Sequence, residues 1–142
     1  MYILDSSAIA IALKRLREEL PQFIEGKVTL DLAHYELGNV IWKECALERL
    51  ISPEEALNRA EDMAKILEIT RNERIETSED FRGAMRLATE LRATFYDASY
   101  LHIAKIKGLT LVTEDDELSE KAERVNIKAI RVSELLTNTL RD

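Results

Sequence analysis

Short runs of strand-type residues recur along this chain, each followed by a segment of helical periodicity, and that alternation restricts the fold more than any other feature. "YILD" (2–5) reads as a buried strand, and "SSAIAIALKRLREEL" (6–20) as a helix that Pro21 is expected to stop. "KVTLDL" (27–32) is a second strand leading into the apolar-rich helix "AHYELGNVIWKECALERL" (33–50). "SPEEALNRAEDMAKIL" (52–67) carries the signature of a capping box, with Ser52 at the cap, Pro53 at the first helical position and Glu55 reaching back. "LEIT" (67–70) is expected to be a short third strand, followed by the helical stripe of "SEDFRGAMRLATEL" (78–91). "YDASYLHIAKIKG" (96–108) is a nearly all-round apolar helix, expected to open at Asp97 and close at Gly108. "LTLVT" (109–113) is the clearest strand, with the acidic helix start "EDDELSEKAERV" (114–125) behind it, and "IKAIRV" and "SELLTNTL" complete the pattern. Strands alternating with helices build a three-layer α/β/α sandwich around a mostly parallel central sheet, and residues 1–142 suit one domain.

A net charge of −7 argues against a simple basic nucleic-acid binder, although an acidic cluster loaded with divalent metal can be locally neutral or positive. Cys45 is the only cysteine, which excludes an intramolecular disulfide and points to a reducing compartment. Asp5 interrupts the first apolar run, and Lys14, Arg15 and Arg17 follow it, so no signal peptide is expected. No stretch approaches the roughly 18 apolar residues of a membrane span, and a cytoplasmic protein is the expectation.

In parallel sheets sites lie beyond the carboxyl ends of the strands, and acidic residues fall there. Asp5 ends the first strand, and Asp115 and Asp116 follow "LTLVT". Asp97 starts the helix that feeds that strand, and Glu36 lies early in the helix after the second strand. Taken singly, Asp5, Asp97 and Asp115 read equally well as helix caps or first-turn acids, worth about 0.3–1 kcal/mol each. Brought together unpaired, they would repel by about 4 kcal/mol per pair at 4 Å and an effective dielectric of 20. Divalent cations relieve such repulsion, and all-oxygen ligation suits Mg²⁺ or Mn²⁺. His34 and His102 are isolated and read as packing residues, as does Cys45. Tyr35 and Trp42 read as core or dimer-interface anchors, and Arg71, Arg74, Arg82, Arg86 and Arg92 as either phosphate guides or a solvated face.

"YILDSSAI", "YELGNVIW", "FYDASYLHIAK" and "LVTEDDEL" resemble, in order and spacing, the successive motifs of PIN-domain ribonucleases. Within that family the chain is most similar to the virulence-associated protein C (VapC) toxins of toxin–antitoxin pairs. The resemblance implies Asp5, Glu36, Asp97 and Asp115 as catalytic, metal-binding acids, with Asp116 as a further ligand candidate and Ser6, Asn39 and Thr113 as their neighbours. It also implies Mg²⁺ or Mn²⁺ as cofactor, an RNA substrate cut by a metal-dependent endoribonuclease, a cognate antitoxin and a homodimer. Two alternatives stand beside it: a PIN-like RNA- or protein-binding module without turnover, and another Mg²⁺-dependent phosphohydrolase.

Overall fold

The computed structural model describes residues 1–141. Its strands are β1 (Tyr2–Leu4), β2 (Val28–Leu30), β3 (Arg71–Glu73), β4 (Thr110–Val112) and β5 (Ala129–Ile130). All neighbouring pairs are parallel, in the order β3-β2-β1-β4-β5. The helices are α1 (Ser6–Leu16), α2 (Leu20–Ile24), α3 (Leu32–Ala46), α4 (Pro53–Glu68), α5 (Ser78–Leu91), α6 (Phe95–Lys107), α7 (Asp116–Arg124) and α8 (Val132–Arg141).

Successive strand residues face opposite sides of the sheet, and both sides are apolar, as a parallel sheet covered on both faces requires. Leu4, Val112 and Ile130 pack with Ile9, Leu20, Leu37, Met63 and Leu135 from α1, α2, α3, α4 and α8. Ile3, Val28 and Leu111 pack with Leu87, Leu101 and Leu118 from α5, α6 and α7. This is the expected three-layer α/β/α arrangement. The chain adds β2 and β3 on one side of β1, then crosses to add β4 and β5 on the other. The switch point lies between β1 and β4, the position beyond whose carboxyl ends sheets of this kind form their binding crevice.

Several boundaries differ from the sequence reading. Pro21 does not stop the first helix. α1 ends at Leu16 because Arg17 adopts φ 47°, a 3-10 turn spans Arg17–Glu19, and Pro21 sits in the first turn of α2. Proline needs no donor there and its φ is already helical. "LEIT" is not a strand: Leu67 and Glu68 finish α4, and β3 comes at Arg71–Glu73, where polar residues suit an edge strand. α6 opens at Phe95, with Thr94 as its cap, which places Asp97 inside the first turn. It does close at Gly108, whose φ of 64° is easy for glycine and strained for other residues. At α4 the Ser52 hydroxyl accepts the Glu55 amide at 3.1 Å, whereas the reciprocal capping box is formed by Thr77 and Asp80 at α5. Tyr35 (78% exposed) and Trp42 (53% exposed) are not core residues, and Leu57, Phe81 and Met85 also face outward. Cys45 is half-buried at the rim of the core.

Candidate active site

Asp5 follows directly on β1 and is only 5% exposed. It is the N-cap of α1, its Oδ1 accepting the Ala8 amide at 2.9 Å and the Ser7 hydroxyl at 2.6 Å. Its Oδ2 accepts the Thr113 hydroxyl from the end of β4. Ser7 Oγ in turn accepts the Glu114 amide at 3.0 Å, and Thr113 Oγ1 the Asp115 amide at 3.1 Å. Two hydroxyls thus lace the first turn of α1 to the loop after β4, with one buried carboxylate receiving both protons. Because a hydroxyl has a single hydrogen, the 3.3 Å approach of Ser7 Oγ to Thr113 Oγ1 is then packing alone.

The other acids arrive from three further elements. Asp115 caps α7, its Oδ1 accepting the amides of Glu117 at 2.9 Å and Leu118 at 3.2 Å, while Oδ2 makes no bond among the described residues. Asp97 donates its amide to Thr94 Oγ1 at 3.1 Å, and its carboxylate accepts nothing among the described residues. Glu36 on α3 accepts the hydroxyl of Tyr100 through Oε1 at 2.8 Å. Tyr100, 1% exposed, lies one turn beyond Asp97, so α6 both carries one acid and orients another.

Burial, and after it the charge of neighbouring acids, raises the pKa of Asp5, Glu36 and Asp97. Burial pushes Asp5 upward most strongly, the bonds from Ser7, Thr113 and Ala8 offset part of this, and the charge of Asp115 adds to it. Glu36 rises through burial, with Tyr100 offsetting, then through Asp5 and Asp97, and the Ser6 hydroxyl gives minor relief. Asp97 rises through burial, Asp115 and Asp5, with Lys121 acting in the opposite sense. Burial and the neighbouring Glu36 also keep Tyr100 neutral, as a donor must be.

The donor set fits a hard divalent cation. Every candidate ligand is a carboxylate oxygen, and Asp97, Asp115 Oδ2 and one oxygen of Glu36 are not committed to hydrogen bonds among the described residues. Among those residues no three ligating side chains already surround a common point, so the acids are neighbours rather than a closed shell.

Residues 1–124 match the family described as the PIN domain. The chain belongs to the PIN-domain family. It is 34% identical over 124 residues to exonuclease VapC9 of Pyrobaculum aerophilum, covering 86% of each chain. It is 33% identical over 126 residues to ribonuclease VapC3 of the same organism, covering 84% of this chain and 92% of the relative. The crystal structure of PAE2754 from Pyrobaculum aerophilum superposes with a TM-score of 0.80 at 32% identity, covering 99% of this chain and 96% of that one.

Within this PIN domain the four motif acids come from separate stretches of sequence, and the fold makes them electrostatic neighbours. Thr113 touches the cluster directly through Asp5. Ser6 does not bond Asp5; Ser7 holds that place, because the third position of the capped turn points back at the cap. Asn39 is exposed on α3 and makes no hydrogen bond to the acids among the described residues. Asp116 turns away from the crevice to Arg131 and its side chain is 86% exposed. Tyr100 and Ser7 are the residues that sequence reasoning missed. A tyrosine hydroxyl inside an otherwise apolar helix needs a partner, and that was the available signal for Tyr100.

His102 is a buried packing residue, its Nε2 2.9 Å from Asp80 Oδ1, while His34 is exposed with Nδ1 3.0 Å from the Asp31 carbonyl. Of the five arginines, Arg74 pairs with Glu76 at 2.8 Å. No helix is long and apolar enough to cross a membrane.

Proposed function

We propose that this PIN-domain protein is a metal-dependent ribonuclease that hydrolyses RNA phosphodiester bonds within the strand, and that it is the toxin of a toxin–antitoxin pair. The observation that carries this reading is the approach of Asp5, Glu36, Asp97 and Asp115, from four separate elements, at the switch point of a parallel sheet, where burial first and neighbouring acids second raise Asp5, Glu36 and Asp97. Retaining four acids there is unfavourable for a protein without a cation to hold. The similarity to a protein named exonuclease VapC9 supports nuclease chemistry, and that to one named ribonuclease VapC3 supports RNA as the substrate.

Asp5, Asp97 and Asp115 would hold Mg²⁺ or Mn²⁺, with Glu36 as a further ligand or as the group that orients water. The cation, when bound, supplies Lewis acidity and a lowered pKa for water at neutral pH. Asp5 is aimed by Ser7, Thr113 and the Ala8 amide, so its orientation is set before any ligand arrives. Tyr100 holds one oxygen of Glu36 and leaves the other to accept a proton from water. Lys121, whose charge opposes the elevation of Asp97, is paired with Glu117 at 2.9 Å and would exchange that partner for a phosphate oxygen.

Full-length protein with Mn²⁺ should cleave a panel of structured RNAs, and Asp97→Asn should lower the rate at least 100-fold. A circular RNA in the panel separates internal cutting from degradation at ends. Undiminished cleavage by Asp97→Asn would sink the assignment. A half-open groove of about 370 Å³ has an apolar lining that includes Leu37, Ile41, Met63 and Ile66 together with charged Lys14, Arg17, Glu44, Arg59 and Asp62, a surface suited to an amphipathic antitoxin segment. A homodimer is part of the same proposal, checked by sedimentation.

A further inference from the structure

Three consecutive acids, Glu114, Asp115 and Asp116, follow β4, and the nuclease reading needs only the middle one at the site. Their arrangement depends on Arg131, which stands between β5 and α8 at the same edge of the sheet. Its Nη1 donates to Glu114 Oε2 at 3.0 Å, and its Nη2 donates to Asp116 Oδ1. The other oxygen of Glu114 accepts the Val132 amide at 3.0 Å, so that carboxylate is anchored at the start of α8. The Glu114 amide donates to Ser7 Oγ, which donates to Asp5. A continuous chain of contacts therefore runs from Arg131 through Glu114 and Ser7 to the most buried acid of the site.

We propose that Arg131 is a positioning residue of the nuclease centre: by gripping the acids on both sides of Asp115 it fixes the loop so that Asp115 alone turns its carboxylate to the crevice. The inference rests on the reading of Asp115 as a site acid. Chemistry favours arginine for the task, because one planar fork serves two carboxylates at once, which a single ammonium on a flexible stem does poorly. Without the fork, Asp116 is a solvent-exposed carboxylate free to turn, and it competes with Asp115 for any cation bound there. Glu114 also loses one of its two side-chain partners and keeps only the Val132 amide, while its own amide still has to hold Ser7.

The test compares full-length wild type with Arg131→Met, Arg131→Lys, the double variant Arg131→Met with Asp116→Asn, and Asp115→Asn. Mn²⁺ affinity is read by calorimetry, kcat and KM on an RNA the wild type cuts, and melting temperature in EDTA. Arg131→Met should weaken Mn²⁺ binding and lower kcat by about 10-fold or more, with KM for RNA little changed. Arg131→Lys should fall between the two, and the double variant should regain most of the Mn²⁺ affinity because the competing charge is gone. Wild-type affinity and kcat in Arg131→Met overturn the proposal, as does a rise in KM alone, which would make Arg131 an RNA contact. A loss accompanied by a lower melting temperature and not regained in the double variant overturns it too, reducing Arg131 to a structural tie. Asp115→Asn is the separate control: if it still cleaves, the nuclease assignment of Asp115 fails first.

Discussion

Asp97 has the least compensated carboxylate of the four. Asp5 and Asp115 each accept backbone amides and Glu36 accepts the Tyr100 hydroxyl, whereas Asp97 accepts no hydrogen bond among the described residues. Burial and the charges of Asp115 and Asp5 all disfavour its ionised form. Replacing it with asparagine keeps the shape and removes the repulsion. Asp97→Asn should therefore melt about 2–5 °C higher than wild type in EDTA while losing cleavage, as calorimetry and the RNA assay would show together. A lower melting temperature in EDTA would mean that its charge is compensated in a way the hydrogen bonds do not reveal.

At the level of elements, the critical joint is the crossing of α5 over α6, since α6 presents both Asp97 and Tyr100. Gly83 makes that crossing close: a Cβ there would stand 2.4 Å from Cε1 and 2.5 Å from Nδ1 of His102. Gly83→Ala should therefore cost about 1–3 kcal/mol in chemical denaturation, even though alanine is the better helix former. The strain is relieved if His102 is truncated as well, so a double-mutant cycle should show coupling between the two positions. The same joint makes a prediction about acid. Asp80 is held down to about 2, first by His102 and then by the amide of Thr77, which it caps. A carboxyl depressed in the folded state adds stability above its unfolded pKa, near 3.8, and that stability disappears as pH falls toward 2. Asp80→Asn should flatten the loss of stability between about pH 4 and pH 2, measured by denaturant titration at each pH.

For the whole molecule the elevated acids set the sign of the pH response above the ordinary carboxylate range. Asp5, Glu36 and Asp97 have folded-state pKa values raised above 3.8, 4.5 and 3.8 respectively, so the folded protein binds more protons than the unfolded chain at mildly acidic pH. In EDTA stability should therefore rise as pH is lowered from 7.5, until the unfolded values near 4 are reached. Saturating Mn²⁺ binds the deprotonated acids, so the gain in melting temperature it produces should grow from pH 5 to pH 7.5. A gain independent of pH in that range would place the cation somewhere other than these carboxylates.

Much of this protein was legible in its sequence, for reasons of local physics. Residues 2–4, 28–30 and 110–112 are short, mostly apolar runs because both faces of a parallel sheet are covered, and an acid soon after the strand marks a chain leaving the sheet into a capped helix. The first pattern was enough for the layers and the second for placing Asp5 and Asp115 at strand ends, whereas Glu36 and Asp97 sit inside helices and stood out through the resemblance to the PIN motifs. Boundaries governed by tertiary packing were not legible. β3 is polar and exists because Arg71–Glu73 pairs with Val28–Leu30, and α1 breaks at Arg17 although its apolar stripe continues. Which serine serves Asp5, where Glu36 finds its tyrosine, and which of Asp115 and Asp116 faces the crevice all depend on contacts between residues far apart in the chain. Ser7 meets Glu114, Tyr100 meets Glu36 and Arg131 meets Asp116 only once the sheet has crossed from β3 to β4, and no spacing within one segment encodes those distances.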